Sequence, residues 1–148
     1  MVAQLDSQQL SELYSVRATL EGAAARLAAE HASRAEIKNL FDIADKEAES
    51  KNDPKALVAI NAELHFAIYS AAHNRYLLQS LSTIVDTLGL LRHSTFVLPG
   101  SIELAHKQHL GILRAIRDGD PRRAEQLASA HINDALELRL KLVRTGGA

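Results

Sequence analysis

The near absence of helix-breaking residues restricts the fold of this chain more than any other feature. Proline occurs only three times in 148 residues, at positions 54, 99 and 121. The long windows between the prolines carry apolar residues at helical spacing, and none shows the strict alternation of apolar and polar residues that marks an amphipathic strand. The sequence therefore predicts an all-α protein.

Start and stop signals divide these windows into helices. Asp6 and Gln9 have the spacing of a capping box, so the first helix is predicted to begin there and to end near His31. Ser33 and Glu36 have the same spacing, and they predict a second helix that ends at about Ser50.

The remaining boundaries follow from proline and glycine. Asp-Pro pairs at 53–54 and 120–121 supply an N-cap and a first helical residue for the third and sixth helices. The third helix is predicted to end within AAHN at 71–74, and the fourth to continue without a break to the PGS at 99–101. Because short connections between long helices make neighbours antiparallel, we predict an antiparallel bundle of six helices.

Composition narrows the class of protein further. The 148 residues fit a single domain, 1–148, and Lys and Arg number 17 against 18 Asp and Glu, a balance that does not favour direct binding of nucleic acid. Cysteine is absent, so a transition metal would need imidazole and oxygen ligands. No apolar run approaches the roughly 18 residues of a membrane span, and we expect a cytoplasmic protein with no membrane partner.

Two histidines interrupt the apolar stripes of the fifth and sixth predicted helices. If the turn lies near Gly119, His109 lies ten residues before it and His131 twelve residues after it. At about 1.5 Å per residue their heights then differ by only about 3 Å. The hairpin is therefore predicted to bring the two imidazoles to one level.

Asn61 and His65 lie four positions apart, on one face of the third predicted helix. Together with His109 and His131 they would offer three imidazole nitrogens and one amide oxygen. Such a set suits a divalent transition metal, with zinc preferred and nickel, cobalt or manganese as alternatives, and it leaves a position for water or a bidentate ligand. The competing interpretation is that these are core histidines whose hydrogen bonds are satisfied locally.

Helix heights favour the His109 and His131 pair over the full set of four. Counted through an unbroken fourth helix, His65 lies about 10 Å from the level of His109. A tilt or kink, for which Gly89 is a candidate position, would be needed to close that gap.

Arg17 is a charged residue in the apolar stripe of the first helix, within LYSVRATLEGAAARLAA. Burial of its permanent charge without an anionic partner would be costly. The partner is either Glu21, one turn further on, or the carboxylate of a bound small molecule that the guanidinium clamps. Arg92 is a second candidate for such a clamp.

Three segments, in this order, resemble a known family: LYSVRATLEGAAARLAA, NAELHFAIYSAAHNRYLLQSL and HLGILRAIRDGDPRRAEQLASAHI. They are similar to the FCD domain, the ligand-binding and dimerisation domain of FadR-type regulators of the GntR family of transcription regulators. The arginine helix, the Asn-x-x-x-His pair and two histidines 22 positions apart carry the resemblance. It extends over nearly the whole chain, from the first predicted helix into the sixth.

The resemblance implies an antiparallel bundle of six or seven helices that forms a homodimer. It also implies a divalent metal ion held by Asn61, His65, His109 and His131, and a small organic acid beside the metal whose carboxylate Arg17 helps to hold. Aspartate is common in the family where this chain has Asn61, so the site lacks one negative charge.

The function that this resemblance implies is metal-dependent sensing of a carboxylate, without catalysis. The winged helix-turn-helix that usually precedes this domain in such regulators is expected to be absent from this chain, so DNA would be contacted only through an N-terminal domain outside it. Two alternatives stay open. One is a metal-dependent hydrolase, with Glu21 or His106 as proton acceptor. The other is a helical dimerisation module without a metal.

Overall fold

A computed structural model describes residues 5–91 and 93–146 of the chain. The regular structure of these residues consists of six α-helices and one 3-10 turn, without a strand, so the prediction of an all-α protein is confirmed. The helices are α1 (Ser7–His31), α2 (Arg34–Glu49), α3 (Pro54–Ala71), α4 (Arg75–Leu88), α5 (Ser101–Arg117) and α6 (Pro121–Arg144). None of these helices is both long enough and apolar enough to cross a lipid bilayer.

The capping signals of the sequence operate as predicted. The Gln9 backbone N–H donates to the Asp6 carboxylate at 2.7 Å, and the Asp6 N–H donates to the Gln9 side chain at 2.9 Å. Ser33 and Glu36 form the second capping box. These reciprocal bonds satisfy backbone donors that the first turn of a helix leaves without partners. The Asp-Pro pairs cap α3 and α6 in the same positions as predicted.

The prediction of an unbroken fourth helix is wrong. α4 ends at Leu88 with Gly89 as its C-cap, and the following connection contains a short 3-10 turn at Thr95–Val97. Glycine in a helix interior costs about 1 kcal/mol relative to alanine, which favours an end at this position. Beyond it, Leu91 packs against a small apolar cluster around Leu10 and Ile132, so this leucine is partly buried without continuing the helix.

Helix α1 packs antiparallel against α6. The Ser129 hydroxyl donates to the Ala18 carbonyl oxygen at 3.0 Å, and further along Arg26 lies 3.4 Å from Glu125. Gly22, between these two contacts, allows the helices to approach closely because it has no Cβ.

Polar side chains lie between two apolar clusters of the bundle. On α1, the buried Glu21 lies between Ala18 of the smaller cluster and Ala24 of the larger one. On α6, the buried His131 lies between Ala128 of the larger cluster and Ile132 of the smaller one. The fold thus places charged and polar groups deep in the bundle, where each needs a partner.

We expect Gly22→Ala to destabilise the fold. The added methyl group would overlap Ser129 Oγ and lie 3.3 Å from the Glu125 carbonyl oxygen, so either Ser129 would lose its hydrogen bond to the Ala18 carbonyl oxygen or α1 and α6 would have to move apart. The free energy of unfolding, measured with urea, should fall by about 1–3 kcal/mol.

Gly111→Ala is the matched control for that experiment. The nearest atom to its added methyl would be Leu127 Cδ1 at 3.7 Å, an ordinary contact, and alanine is the better helix former. The control should retain or gain stability. Equal losses in the two variants would contradict close packing at Gly22.

Candidate metal centre

Three buried histidines from three helices meet inside the bundle. They are His65 on α3, His109 on α5 and His131 on α6, and each offers a ring nitrogen within 4.8 Å of the others. The Nε2 atoms of His109 and His131 are 3.2 Å apart. The prediction that the hairpin of α5 and α6 brings these two imidazoles to one level is confirmed.

His65 lies at the same level as His109 and His131, which differs from the height predicted from the helix lengths. The His65 ring centroid is 5.2 Å from that of His109 and 5.5 Å from that of His131. The expected offset of about 10 Å assumed an unbroken fourth helix. Because α4 ends at Leu88, an irregular connection covers the remaining height instead.

Buried carboxylates accept hydrogen bonds from two of the histidines. Nδ1 of His109 is 2.7 Å from Glu47 Oε2, and Nδ1 of His65 is 3.1 Å from Glu21 Oε1. An ionised carboxylate can only accept, so the proton of each imidazole is on Nδ1. The Nε2 of each neutral ring then carries a lone pair.

His131 is oriented by the side-chain amide of Gln108. The Gln108 side-chain nitrogen donates to Asp134 at 2.6 Å, which turns its oxygen toward His131 Nδ1, also at 2.6 Å. Because this oxygen accepts, His131 Nδ1 carries the proton as well. All three rings therefore have the same tautomer, with Nε2 as the nitrogen free to bind a metal.

The Nε2 atoms of His109 and His131 are 3.2 Å apart, and in neutral rings with the proton on Nδ1 both of them are acceptors. Two acceptors cannot form a hydrogen bond with each other, so a proton or a metal ion between them would stabilise this short distance. Two nitrogens bound to one zinc ion at about 2.0–2.1 Å in tetrahedral geometry lie about 3.3 Å apart. The donor set and its spacing therefore fit a transition metal ion.

Burial keeps these two rings in the neutral form that can bind a metal. It lowers the pKa of His109, although the hydrogen bond to Glu47 acts in the opposite direction. Burial also holds the pKa of His131 well below its ordinary value, and the neighbouring His109 and His65 lower it further. At neutral pH no proton competes strongly for these nitrogens.

Glu21 links three side chains of the site. It accepts from Arg17 Nε at 2.9 Å and from the Tyr69 hydroxyl at 2.6 Å, in addition to its contact with His65. Burial alone would raise the pKa of Glu21, but its interactions with His65, Arg17 and Tyr69 hold that pKa far below its usual range. The sequence predicted either Glu21 or the carboxylate of a bound molecule as the partner of Arg17. The structure contains the ion pair with Glu21.

Glu47 is a functional candidate that the sequence analysis missed. It is 3% exposed and accepts hydrogen bonds from Nδ1 of both His109 and His106, the latter at 2.6 Å. Burial raises the pKa of Glu47, but these two hydrogen bonds outweigh it, so the pKa is lowered overall. A signal was available, because Glu47 continues the apolar stripe of Leu40 and Ile43 on α2, just as Arg17 interrupts that of α1.

The Gln108 and Asp134 relay was also missed, and here the sequence gives no comparable signal. Polar residues are common at half-buried helix positions, and only the packing of α5 against α6 joins these two.

A cavity of about 720 Å³ adjoins the histidines. Arg17, Asn61, His65 and His131 line it, while His109 lies behind them. Five of the six predicted site residues are thus in or beside one cavity, and the sixth, Arg92, lies outside the described residues.

Comparisons with a family model and with curated relatives agree on the family of this chain. Residues 12–134 match the family model described as the FCD domain. The Nta operon transcriptional regulator of Aminobacter aminovorans is 28% identical over 141 residues, which cover 95% of this chain and 66% of the relative. The "Probable D-xylose utilization operon transcriptional repressor" of Paenarthrobacter nicotinovorans is 30% identical over 134 residues, 88% of this chain and 58% of the relative.

A solved structure supports the same fold. The metal-free FCD domain of TM0439 superposes with a TM-score of 0.74 at 18% identity, over 97% of this chain and 99% of that one. At this identity the likeness concerns the fold alone. The chain spans 66% and 58% of the lengths of the two sequence relatives, so it corresponds to a part of such regulators.

We expect Tyr69→Phe to destabilise the protein, because the change removes a buried hydrogen bond to the charged Glu21. The loss in free energy of unfolding should be about 1.5–3 kcal/mol by urea denaturation, the range for hydrogen bonds to charged groups. Tyr76→Phe is the control, since that tyrosine is 73% exposed. A loss no greater than in the control would contradict the role given to the Tyr69 hydroxyl.

Proposed function

The chain belongs to the FCD domain family, and from this premise we propose that its three histidines bind a divalent transition metal that in turn binds a small carboxylate effector. The observation that carries the proposal is the pair of Nε2 lone pairs of His109 and His131, 3.2 Å apart in a buried site. A protein core gains nothing from two facing acceptors, whereas a metal ion uses both.

The proposed ligands are Nε2 of His65, His109 and His131 together with the side-chain oxygen of Asn61, which lines the same cavity. Zinc is preferred for this set, and nickel, cobalt and manganese are alternatives. The bound ion would supply a positive charge and open coordination positions. Because all four protein ligands are neutral, that charge would be left to attract an anion.

Arg17 is proposed to hold the effector's carboxylate next to the metal. Its contact with Glu21 uses Nε, one of the five N–H donors of a guanidinium group. The terminal nitrogens belong to a side chain that lines the cavity, and a planar guanidinium suits bidentate binding of a carboxylate. Arg92 remains a second candidate for this role.

We propose that effector binding controls transcription through a homodimer in the cytoplasm. The site joins α1, α3, α5 and α6, so a ligand that favours one arrangement of these helices would shift the population toward it. The DNA-binding element would be an N-terminal winged helix-turn-helix outside this chain. The regulators among the relatives support this assignment.

Hydrolysis is not favoured by the site. The two proton acceptors considered, Glu21 and His106, are both engaged. The low pKa of Glu21 makes it a poor base, and His106 Nδ1 is bound to Glu47 at 2.6 Å. A metal-free core role is not favoured either, since Glu47 and Gln108 orient the histidines so that Nε2 of His109 and His131 face each other.

We expect Glu47→Gln to weaken zinc binding by about 10- to 100-fold, the usual effect of losing an acceptor behind a metal-binding histidine. Zinc affinity would be measured by competition with a chromophoric chelator. Glu49→Gln, on the same helix but exposed, is the matched control. Equal zinc affinities for the two variants would count against the proposed metal site.

We expect Arg17→Lys to weaken carboxylate binding by about tenfold, because lysine keeps the charge beside Glu21 but loses the planar pair of donors. The probes are acetate, malonate and benzoate, titrated calorimetrically into zinc-loaded protein. Arg26→Lys on the exposed side of α1 is the control. Zinc affinity should be unchanged in both variants, and an unaltered affinity for all three acids would exclude Arg17 from the effector site.

A further inference from the structure

The cavity is much larger than a metal-bound carboxylate needs. Its volume of about 720 Å³ falls in the range of roughly 300–1,000 Å³ typical of sites for drug-sized ligands. Along α6 it is lined from His131 to Arg139, eight residues or about 12 Å. Along α3 its lining begins at Tyr69, one turn after His65, and extends back to Val58, about two turns before His65.

The cavity extends in one direction from the histidines. α5 and α6 are antiparallel, because they form a hairpin in which His109 meets His131, so the start of α5 at Ser101 lies near the level of Arg139. Both of these residues line the cavity, as does Phe96 in the connection before α5. Arg139 Nη1 also donates to the His93 carbonyl oxygen, which ties this connection to α6. The cavity is therefore a channel with the histidines at one end.

Apolar side chains form much of the channel wall. Four large apolar residues that line it are also exposed: Val58 at 48%, Phe66 at 55%, Val85 at 37% and Leu104 at 39%. They account for half of the eight exposed large apolar side chains in the described ranges. A group of exposed apolar side chains that lie close together on a protein surface often marks a binding site.

We propose that the effector is a monocarboxylate with an extended apolar body, such as a medium-chain alkanoate or an arylalkanoate, and not an acid of two to four carbons. The inference rests on the proposed function, since the carboxylate end would bind at the metal and Arg17. The apolar body would then lie along the channel toward Phe96 and Leu138. A second charged end would be desolvated against this wall at a cost, and Asp86, which also lines the channel, would repel it. Arg139, which lies at the far end of the channel, already donates to the His93 carbonyl oxygen.

The test is a chain-length series on the zinc-loaded full chain. Straight-chain acids from acetate to decanoate are titrated by calorimetry, with competition by acetate to show that they share one site. Affinity should rise about two- to fourfold for each added methylene until the channel is filled. The α,ω-dicarboxylate of the same length as the best acid should bind at least tenfold more weakly.

Ala135→Leu narrows the channel one turn from His131, at a half-buried position that lines it. Zinc and acetate affinities should be retained, while the affinity for octanoate should fall by at least tenfold. Ala130→Leu, on the exposed side of the same helix, is the matched control and should change none of the three. If Ala135→Leu does not fold, the series on the unaltered chain still decides the question.

The outcomes separate the two proposals. Acetate binding without any gain with chain length, or tighter binding of the dicarboxylate, would overturn the extended apolar effector and leave the metal and carboxylate site intact. Absence of binding by zinc and by every acid would overturn the proposed function, and with it this inference.

Discussion

The hydrogen bond from Nδ1 of each site histidine to a fixed acceptor is the interaction on which the rest of the site depends. These bonds set the tautomer, and the tautomer turns each Nε2 into a lone pair directed inward. The acceptors in turn need partners, because a buried carboxylate is costly when it stands alone. Glu21 is matched by Arg17 and Tyr69, and Glu47 by a second histidine, His106. The polar interior of the bundle is thus a connected set of groups.

Local signals predicted the helices well, and interhelical contacts only in part. Capping boxes and Asp-Pro pairs involve only a few neighbouring residues, so the helix ends that they set can be predicted from the sequence alone. The His109 and His131 pair was predictable because one short turn joins α5 to α6. The level of His65 was not, since it depends on how the chain leaves α4 after Gly89. An apolar residue such as Leu91 can pack against the core from a helix or from a loop, and the sequence pattern does not distinguish the two.

The acceptors behind the histidines show the same limit. Glu47 and Glu21 come from helices far along the chain from the histidine that each one meets, so no spacing rule connects them. In the proposed function these carboxylates would supply negative charge one step away from the nitrogens, so that neutral ligands could hold the metal and its open side would still attract an anion. The proposed carboxylate sensor needs that combination, and the four helices that contribute to the site would respond to it together.

Nitrogen-15 NMR of the imidazoles in the metal-free protein at neutral pH reports which ring nitrogen carries the proton, and so tests the tautomers from which the metal site is inferred. We expect His109 and His131 to be neutral, with the proton on Nδ1, and zinc to shift their Nε2 resonances. A proton on Nε2 of either ring in the metal-free protein, or Nε2 resonances that zinc leaves unchanged, would contradict that inference.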